Sequence, residues 1–188
     1  IETAILVGLI TRAQSEEQIT EYLDELAFLA DTAGANVQKQ FTQRLEHPDS
    51  ATFVGSGKLN EIKEYVKEHQ IDLVIVDDEL SPSQQRNMEE AIKKRVLDRS
   101  MLILDIFAQR ARTVQAKTQV ELAQLQYMLP RLKGMWTHLE RQRGGTGTRG
   151  GAGEKEIETD RRMAEKKISI LKDKLREIDK QNEVRRKH

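Results

Sequence analysis

Short apolar runs that alternate with amphipathic helical segments constrain the fold of the first 108 residues. Three runs have the length and composition of strands, and the third is apolar almost throughout, as strands buried on both faces of a parallel sheet are; they span 3–10, 35–42 and 72–77. Strands that alternate with helices imply right-handed crossovers. We therefore predict an α/β domain over residues 1–108, with a small, mainly parallel sheet and flanking helices.

Two helix starts are marked by capping boxes, in which a Ser accepts a backbone N–H and a Gln three residues later reaches back. The pairs are Ser15 with Gln18 and Ser81 with Gln84, and Pro82 occupies the first helical position. A third helix is expected over 57–70. Shorter runs at 51–54 and 96–98 suggest two more strands, and an apolar helical stretch follows over 101–107.

The periodicity changes after residue 108. From 113 to 141 the apolar positions follow a 3,4 spacing, which is typical of a coiled-coil seam; they are Leu122, Leu125, Leu129, Leu132, Trp136 and Leu139. A second helical pattern runs from 154 to 188, with Ala164, Ile168, Leu171, Leu175 and Ile178 on one side. We predict a long antiparallel, coiled-coil-like helical hairpin over 109–188, with a glycine-rich tip loop at 143–153 and a kink or break at Pro130.

Charge is distributed unevenly, although the formal net charge is zero. Residues 1–130 hold 14 basic and 21 acidic side chains, whereas residues 131–188 hold 17 and 10. This asymmetry is typical of a chain whose basic end meets nucleic acid or another polyanion, although a solvated helical face is an equal alternative. The absence of cysteine excludes disulfides, thiolate metal sites and thiol nucleophiles. No apolar run is long enough to span a membrane.

The glycine-rich loop is the strongest functional signal in the sequence. Arginines can pair with phosphates and stack on bases, and glycines let the backbone approach a partner closely. The candidate RNA-binding residues are Arg141, Arg143, Gly144, Gly145, Gly147, Arg149, Gly150, Gly151 and Gly153. The alternative interpretation is a flexible linker, although linkers usually favour Ser over Arg.

Two other motifs invite a nucleotide or metal interpretation. Gly55, Gly57 and Lys58 resemble part of a phosphate-binding loop, but Thr52 stands at the first glycine position and Leu59 replaces the Mg²⁺-binding hydroxyl. We keep them as a possible anion or nucleotide site and favour a tight turn. Residues 77–79, an Asp-Asp-Glu cluster after a strand, are more simply a solvated loop than a Mg²⁺ site. The four His have no metal-ligand spacing, so no metal site and no catalytic residue are predicted.

Segment by segment, the chain resembles the HflX family of ribosome-associated GTPases. The resemblance covers essentially the whole chain and is carried by 42–44, 52–58, 77–87, 96–99, 104–111, 119–125, 129–132, 136–139, the glycine loop and 158–162. The family loop usually has a Pro and is one residue shorter than the stretch Gly150-Gly151-Ala152-Gly153-Glu154. The bound geometry of the tip is therefore expected to differ.

The resemblance implies a function. Family members bind the large (50S) ribosomal subunit and split ribosomes under stress, with the loop touching ribosomal RNA near the peptidyl-transferase region. GTP and Mg²⁺ would belong to a GTPase domain after His188, so the chain itself is expected to hold no cofactor and to hydrolyse no GTP. We expect a cytoplasmic monomer that contacts neither membrane nor DNA.

Two alternatives stay open from the residues alone. The helices could form a protein-interaction module, which would bind its partner at high salt and without the arginines. The α/β domain could instead bind a nucleotide through 55–58 and 77–79, in which case Lys58→Ala would abolish saturable binding.

Overall fold

In this computed structural model, residues 1–143 and 152–187 are described, with side chains over 1–131 and 161–187. The chain divides into two compact units, Ile1–Ile106 and Phe107–His188. We call them the α/β unit and the helical unit.

The α/β unit alternates strands and helices along the chain. Its elements are β1 (Glu2–Ile10), α1 (Glu16–Thr32), β2 (Ala35–Arg44), α2 (Ser56–Glu68), β3 (Leu73–Val76), α3 (Pro82–Ile92), β4 (Arg95–Asp98) and α4 (Arg99–Arg110), whose last residues belong to the helical unit. Both predicted capping boxes are present, with Gln18 N–H donating to Ser15 and Gln84 N–H to Ser81. The α/β prediction is confirmed for this unit.

The four strands form one sheet in the order β2-β1-β3-β4, and every pairing is parallel. Successive side chains of a strand point to opposite faces. Val74 and Val76 therefore pack into one core with α2 and α3, while Leu73 and Ile75 pack into a second core with α1 and α4. Both faces of β3 are covered, which explains its unbroken apolar sequence.

The predicted strand at 51–54 is wrong. This stretch forms a tight loop with a single bridge between Asp49 and Phe53. Asp49 Oδ1 accepts the N–H groups of Ala51 and Thr52, at 2.8 and 3.0 Å. A short Asp carboxylate that satisfies its own loop in this way favours a turn over a strand.

The helical unit contains α5 (Val114–Arg143) and α6 (Ala152–Arg186). The two helices contact each other, and α6 buries Ala164, Ile168 and Leu171. Polar contacts join them as well, since Lys167 lies 2.7 Å from Glu121 and Gln115 donates to Asp179 at 3.2 Å. Pro130 lies inside α5 and does not end it.

The prediction of a long antiparallel, coiled-coil-like hairpin over 109–188 is wrong. A coiled-coil seam buries its apolar positions on one side of each helix. On α5, Leu122 and Leu129 are only half-buried, and Val120 and Tyr127, on the opposite side of the helix, are half-buried too. The predicted tip falls on residues 144–151, outside the described part of the chain. The described residues show two long helices in contact, without the one-sided burial on α5 that a coiled-coil seam requires.

Candidate functional site

The predicted RNA-binding loop lies between α5 and α6. Arg141 and Arg143 are at the end of α5, where only the backbone is described, and Gly153 belongs to the first turn of α6. The remaining predicted residues lie outside the described part of the chain: Gly144, Gly145, Gly147, Arg149, Gly150 and Gly151. Their proposed contact with RNA stays a prediction.

The two units carry opposite charge. The α/β unit has 11 basic and 20 acidic side chains, a net of −9, whereas the helical unit has 20 and 11, a net of +9. The boundary between the units thus separates the charge more sharply than the sequence division at residue 130. A polyanionic partner would be attracted to the helical unit and repelled by the α/β unit.

The second predicted site, Gly55, Gly57 and Lys58, forms the start of α2. Gly55 is the N-cap residue, with extended backbone and no side-chain cap, and its N–H donates to Gln43 Oε1 at 2.9 Å. Lys58 Nζ lies 2.9 Å from a carboxylate oxygen of Glu61, one turn along the same helix. The lysine is therefore engaged locally, and the motif acts as the tight turn that starts the helix.

The loop before this turn is held in one conformation by side chains from other elements. Gln84 Nε2 donates to the carbonyl of Asp49 at 2.7 Å, and Asn87 Nδ2 donates to that of Ala51 at 2.9 Å. Phe53 has a positive φ of 66°, which is uncommon for a bulky residue. Its ring is buried in the core, and this burial offsets the backbone strain.

A pocket of about 270 Å³ opens at the carboxyl edge of the sheet. The chain leaves β1 for β2 on one side and returns as β3 on the other, so the strand order reverses between β1 and β3. This switch point is where open α/β sheets place their ligands. The pocket is lined by Gln14, Tyr22, Asp77, Asp78, Glu79, Arg99, Ser100 and Ile103.

The acidic side chains of this pocket are already paired within the protein. The carboxylate of Asp77 forms a close ion pair with the Arg99 guanidinium. Burial raises the pKa of Asp77, and the neighbouring Arg99 opposes that rise without cancelling it. Ser100 donates to Glu79 Oε1 at 3.2 Å, and the Glu79 N–H donates to Asp78 Oδ1 at 2.7 Å. Each of the three carboxylates of the pocket therefore has a partner within the protein.

A second buried carboxylate at this edge of the sheet belongs to Asp98, the last residue of β4. Its side chain is inaccessible to solvent. One carboxylate oxygen accepts the Met101 N–H at 2.9 Å and caps α4, while the other accepts the Leu80 N–H at 3.1 Å. Asp98 thus ties the loop after β3 to the start of α4.

The structure does not bring the two candidate nucleotide motifs together. α2 packs against the sheet face that contains Val74, whereas the pocket is lined by residues of α1 and α4 from the other face. Three carboxylates against one guanidinium would repel phosphate. The arrangement gives no support to a nucleotide site shared by 55–58 and 77–79.

Sequence reasoning missed Gln14, Tyr22, Arg99, Ser100 and Ile103 as pocket residues. They come from three separated segments, and only the strand order places them at one edge. Among the side chains that the structure describes, no group of three or more His, Asp or Glu is arranged to hold a metal ion. Within the same part of the chain, no helix is long and apolar enough to cross a membrane.

The fold and the sequence both match GTP-binding proteins. Residues 20–108 match the family model described as the GTP-binding GTPase N-terminal region, and residues 110–188 match the one described as the middle region. The solved structure of SsGBP with GDP has a TM-score of 0.72 at 25% identity, covering 97% of this chain and 46% of that one. A GTP-binding protein from Sulfolobus solfataricus with GDP, at 24% identity and a TM-score of 0.67, shares the fold. These matches define the class as the N-terminal and middle regions of GTP-binding GTPases.

Curated relatives narrow the class to one family. GTPase HflX of Flavobacterium psychrophilum is 57% identical over 98% of this chain and 45% of its own length. GTPase HflX of Escherichia coli is 44% identical over 97% and 42%, and that of Chlamydia pneumoniae is 45% identical over 98% and 40%. The chain belongs to the HflX family and corresponds to the N-terminal part of its members. It spans between 40% and 45% of the length of these three relatives.

Proposed function

We propose that this chain is the ribosome-binding N-terminal part of an HflX-type GTPase. It binds the large ribosomal subunit through the helical unit. The loop between α5 and α6 contacts ribosomal RNA near the peptidyl-transferase region, and this binding supports the splitting and rescue of ribosomes. The bound partner is RNA, and the chain works in the cytoplasm as a monomer.

The observation that carries this proposal is the separation of charge between the two units. A net of +9 on the helical unit, beside −9 on the α/β unit, orients the chain toward a polyanion. RNA in a ribosomal subunit is such a partner, and most of its affinity for a basic protein comes from phosphate contacts that weaken with salt.

The loop supplies the residues that enter the RNA. Arg141, Arg143 and Arg149 offer paired donors to phosphates and flat guanidinium planes to bases. The glycines among them carry no side chain, so RNA can approach the backbone closely. Arginines and glycines in a short loop suit single-stranded and irregular RNA, whose bases and phosphates are accessible to them.

GTP hydrolysis belongs, in this proposal, to the part of the family that lies outside the matched 40–45% of the relatives. In this chain, Lys58 is engaged with Glu61, and the pocket at the sheet edge is acidic. We expect no saturable GTP binding by the 188-residue chain and no change in that result for Lys58→Ala.

The test is co-sedimentation of the chain with purified 50S subunits across a salt series, beside the double variant Arg143→Ala/Arg149→Ala. We expect salt-sensitive binding that the double variant weakens by about a hundredfold, because each of the two lost charge-assisted contacts costs about 1.5 kcal/mol and every 1.4 kcal/mol is about tenfold in affinity. The matched control is Arg12→Ala/Arg44→Ala. These two arginines are 83% and 73% exposed and form only surface ion pairs in the α/β unit.

The control removes the same charge from the other unit, so it should bind like the unaltered chain. Equal weakening in both double variants would mean that total charge alone governs binding and would contradict a loop contact. Binding that withstands high salt and both variants would instead indicate a protein-interaction module.

A further inference from the structure

The described part of α6 has a basic side that faces solvent. Ala164, Ile168 and Leu171 are buried and fix which side of the helix is turned inward. At 3.6 residues per turn, a second set of positions with 4,3,4,3,4 spacing lies on the opposite side, and all its members are exposed. We call this set the outer face of α6; it consists of Arg162, Lys166, Ser169, Asp173, Arg176 and Lys180.

The outer face is cationic along its length. It holds four basic side chains and one acidic side chain, Asp173, which pairs with Arg176 at 2.8 Å. Of the other carboxylates between 161 and 187, Glu165, Asp179 and Glu183 lie toward the flanks of the helix, whereas Glu177 lies at the edge of the outer face, one turn from Asp173 and Lys180. The ion pairs described over this stretch occupy Lys167 and Arg176, and leave Lys166 and Lys180 to solvent.

We propose that the outer face of α6 is a phosphate-tracking surface for structured RNA, which extends the contact made by the loop. The inference rests on the proposed function, because α6 begins at Ala152, directly after that loop. Arg162 lies ten residues into the helix, about 15 Å from its start, and the face continues for about 27 Å to Lys180. A straight row of cations of this length matches a run of backbone phosphates.

The same geometry disfavours a membrane as the partner. A helix that lies in a membrane interface must insert its apolar side between lipids. The apolar side of α6 is buried within the helical unit, and α5 is the element that it contacts there. What α6 presents outward is mainly charge, with single exposed apolar side chains such as Met163, Ile170 and Val184 beside it. This charge can reach RNA without any rearrangement of the unit.

The test measures binding of the 188-residue chain to a fluorescein-labelled RNA hairpin of about 20 base pairs, by anisotropy, between about 50 and 200 mM salt. The variant is Lys166→Ala/Arg176→Ala/Lys180→Ala. The matched control, Lys172→Ala/Lys174→Ala/Arg185→Ala, removes two lysines and one arginine from exposed positions on the flanks of the same helix. Circular dichroism verifies that each variant keeps its helix content.

We expect the outer-face variant to bind about tenfold more weakly, and its plot of log affinity against log salt to be shallower by about two to three, since each lost phosphate contact removes about one unit of slope. The control should change affinity by less than about threefold, through long-range charge alone. Equal losses in the two triple variants would overturn the proposal, and so would no loss in either.

Two further probes decide the class of partner. Vesicles with about 30% phosphatidylserine that bind better than the RNA, with the same loss in the outer-face variant, would show a lipid surface instead. Polyglutamate that competes as well as unlabelled RNA hairpin would show an acidic protein partner. Either result would overturn an RNA-tracking surface.

The loop variant Arg143→Ala/Arg149→Ala separates this inference from the proposed function. If the loop variant loses binding and the outer-face variant does not, the inference fails and the proposed function stands. If the outer-face variant alone loses binding, the face is the RNA contact and the loop assignment fails. A chain that binds neither the hairpin nor the 50S subunit would overturn both.

Discussion

The α/β unit and the helical unit differ in how they bury apolar side chains. In the α/β unit, both sheet faces are covered, and strand residues such as Leu6 and Ile75 are inaccessible to solvent. Among the described side chains of the helical unit, the buried apolar residues are Ala164, Ile168 and Leu171. The first unit therefore has a dense core of its own, while the described part of the second buries few apolar side chains.

This difference suggests a division of roles. A unit with a closed core and internally paired carboxylates is built for stability, and its acidic surface suits no polyanion. The helical unit buries fewer apolar side chains in its described part and has exposed lysines along α6.

The largest effect is expected from truncating the core of the sheet. Ile75→Ala should lower the free energy of unfolding by about 2 to 5 kcal/mol, because a fully buried side chain leaves a cavity that the surrounding structure cannot fill. Leu125→Ala, at a half-buried position of α5, should cost about 1 kcal/mol. Urea denaturation followed by circular dichroism measures both. If the two costs were equal, α5 would belong to an equally dense core.

Removing a buried polar side chain should also cost more stability in the α/β unit than in the helical unit. Asp98→Ala leaves the Leu80 and Met101 N–H groups without their acceptor and should cost about 2 to 3 kcal/mol. Thr118, buried in α5, donates only to the Val114 carbonyl within its own helix, at 2.6 Å, so Thr118→Ala should cost less than about 1 kcal/mol. Asp98→Asn, which keeps an acceptor oxygen, should fall between them. Thermal unfolding of the three variants measures these losses of stability. A larger loss for Thr118→Ala than for Asp98→Ala would contradict the comparison.

The density of the α/β core can be tested at a glycine. A Cβ on Gly8 would lie 2.7 Å from Ile19 Cδ1 and 3.2 Å from Leu23 Cδ2, where α1 crosses β1. Gly8→Ala should therefore destabilise the chain by about 1 to 3 kcal/mol through overpacking. Gly57→Ala is the matched control, since nothing lies within 4 Å of its Cβ position, and it should be neutral or stabilise α2 by up to about 1 kcal/mol. Equal effects in urea denaturation would mean that α1 shifts freely over the sheet.

The smallest effect concerns the paired carboxylate of the pocket. Burial raises the pKa of Asp77 in the folded chain above the ordinary value of 3.8. A raised carboxyl pKa means that the folded state takes up the proton first, so the penalty of the buried charge is present at neutral pH. It is relieved as pH falls through the folded pKa toward 3.8. The stability of the unaltered chain relative to Asp77→Asn should thus rise between pH 7 and pH 4. A fall would mean that pairing with Arg99 outweighs burial.

Much of the α/β unit was predictable from sequence because its signals are local. In each capping box the Ser and its Gln partner are three residues apart, as in Ser15 with Gln18 and Ser81 with Gln84. The apolar run of β3 reflects the burial of this strand on both faces. The strand predicted at 51–54 was wrong because the carboxylate of Asp49 accepts the Ala51 N–H, which makes this stretch a turn. The coiled-coil hairpin was predicted wrongly because residue spacing shows which residues share a side of a helix. It does not show how many sides of that helix are buried by other elements.

Residue types and their spacing were enough to predict the family, the alternation of strands and helices, the uneven charge and the candidate RNA loop. The strand order and the pocket at its switch point became visible only in the folded chain. The tertiary structure also decided the pairing of Asp77 with Arg99, which are 22 residues apart in the chain, and the side of α6 that faces solvent. Such features depend on which distant segments meet, and that is set by packing across the whole unit, which no local pattern encodes.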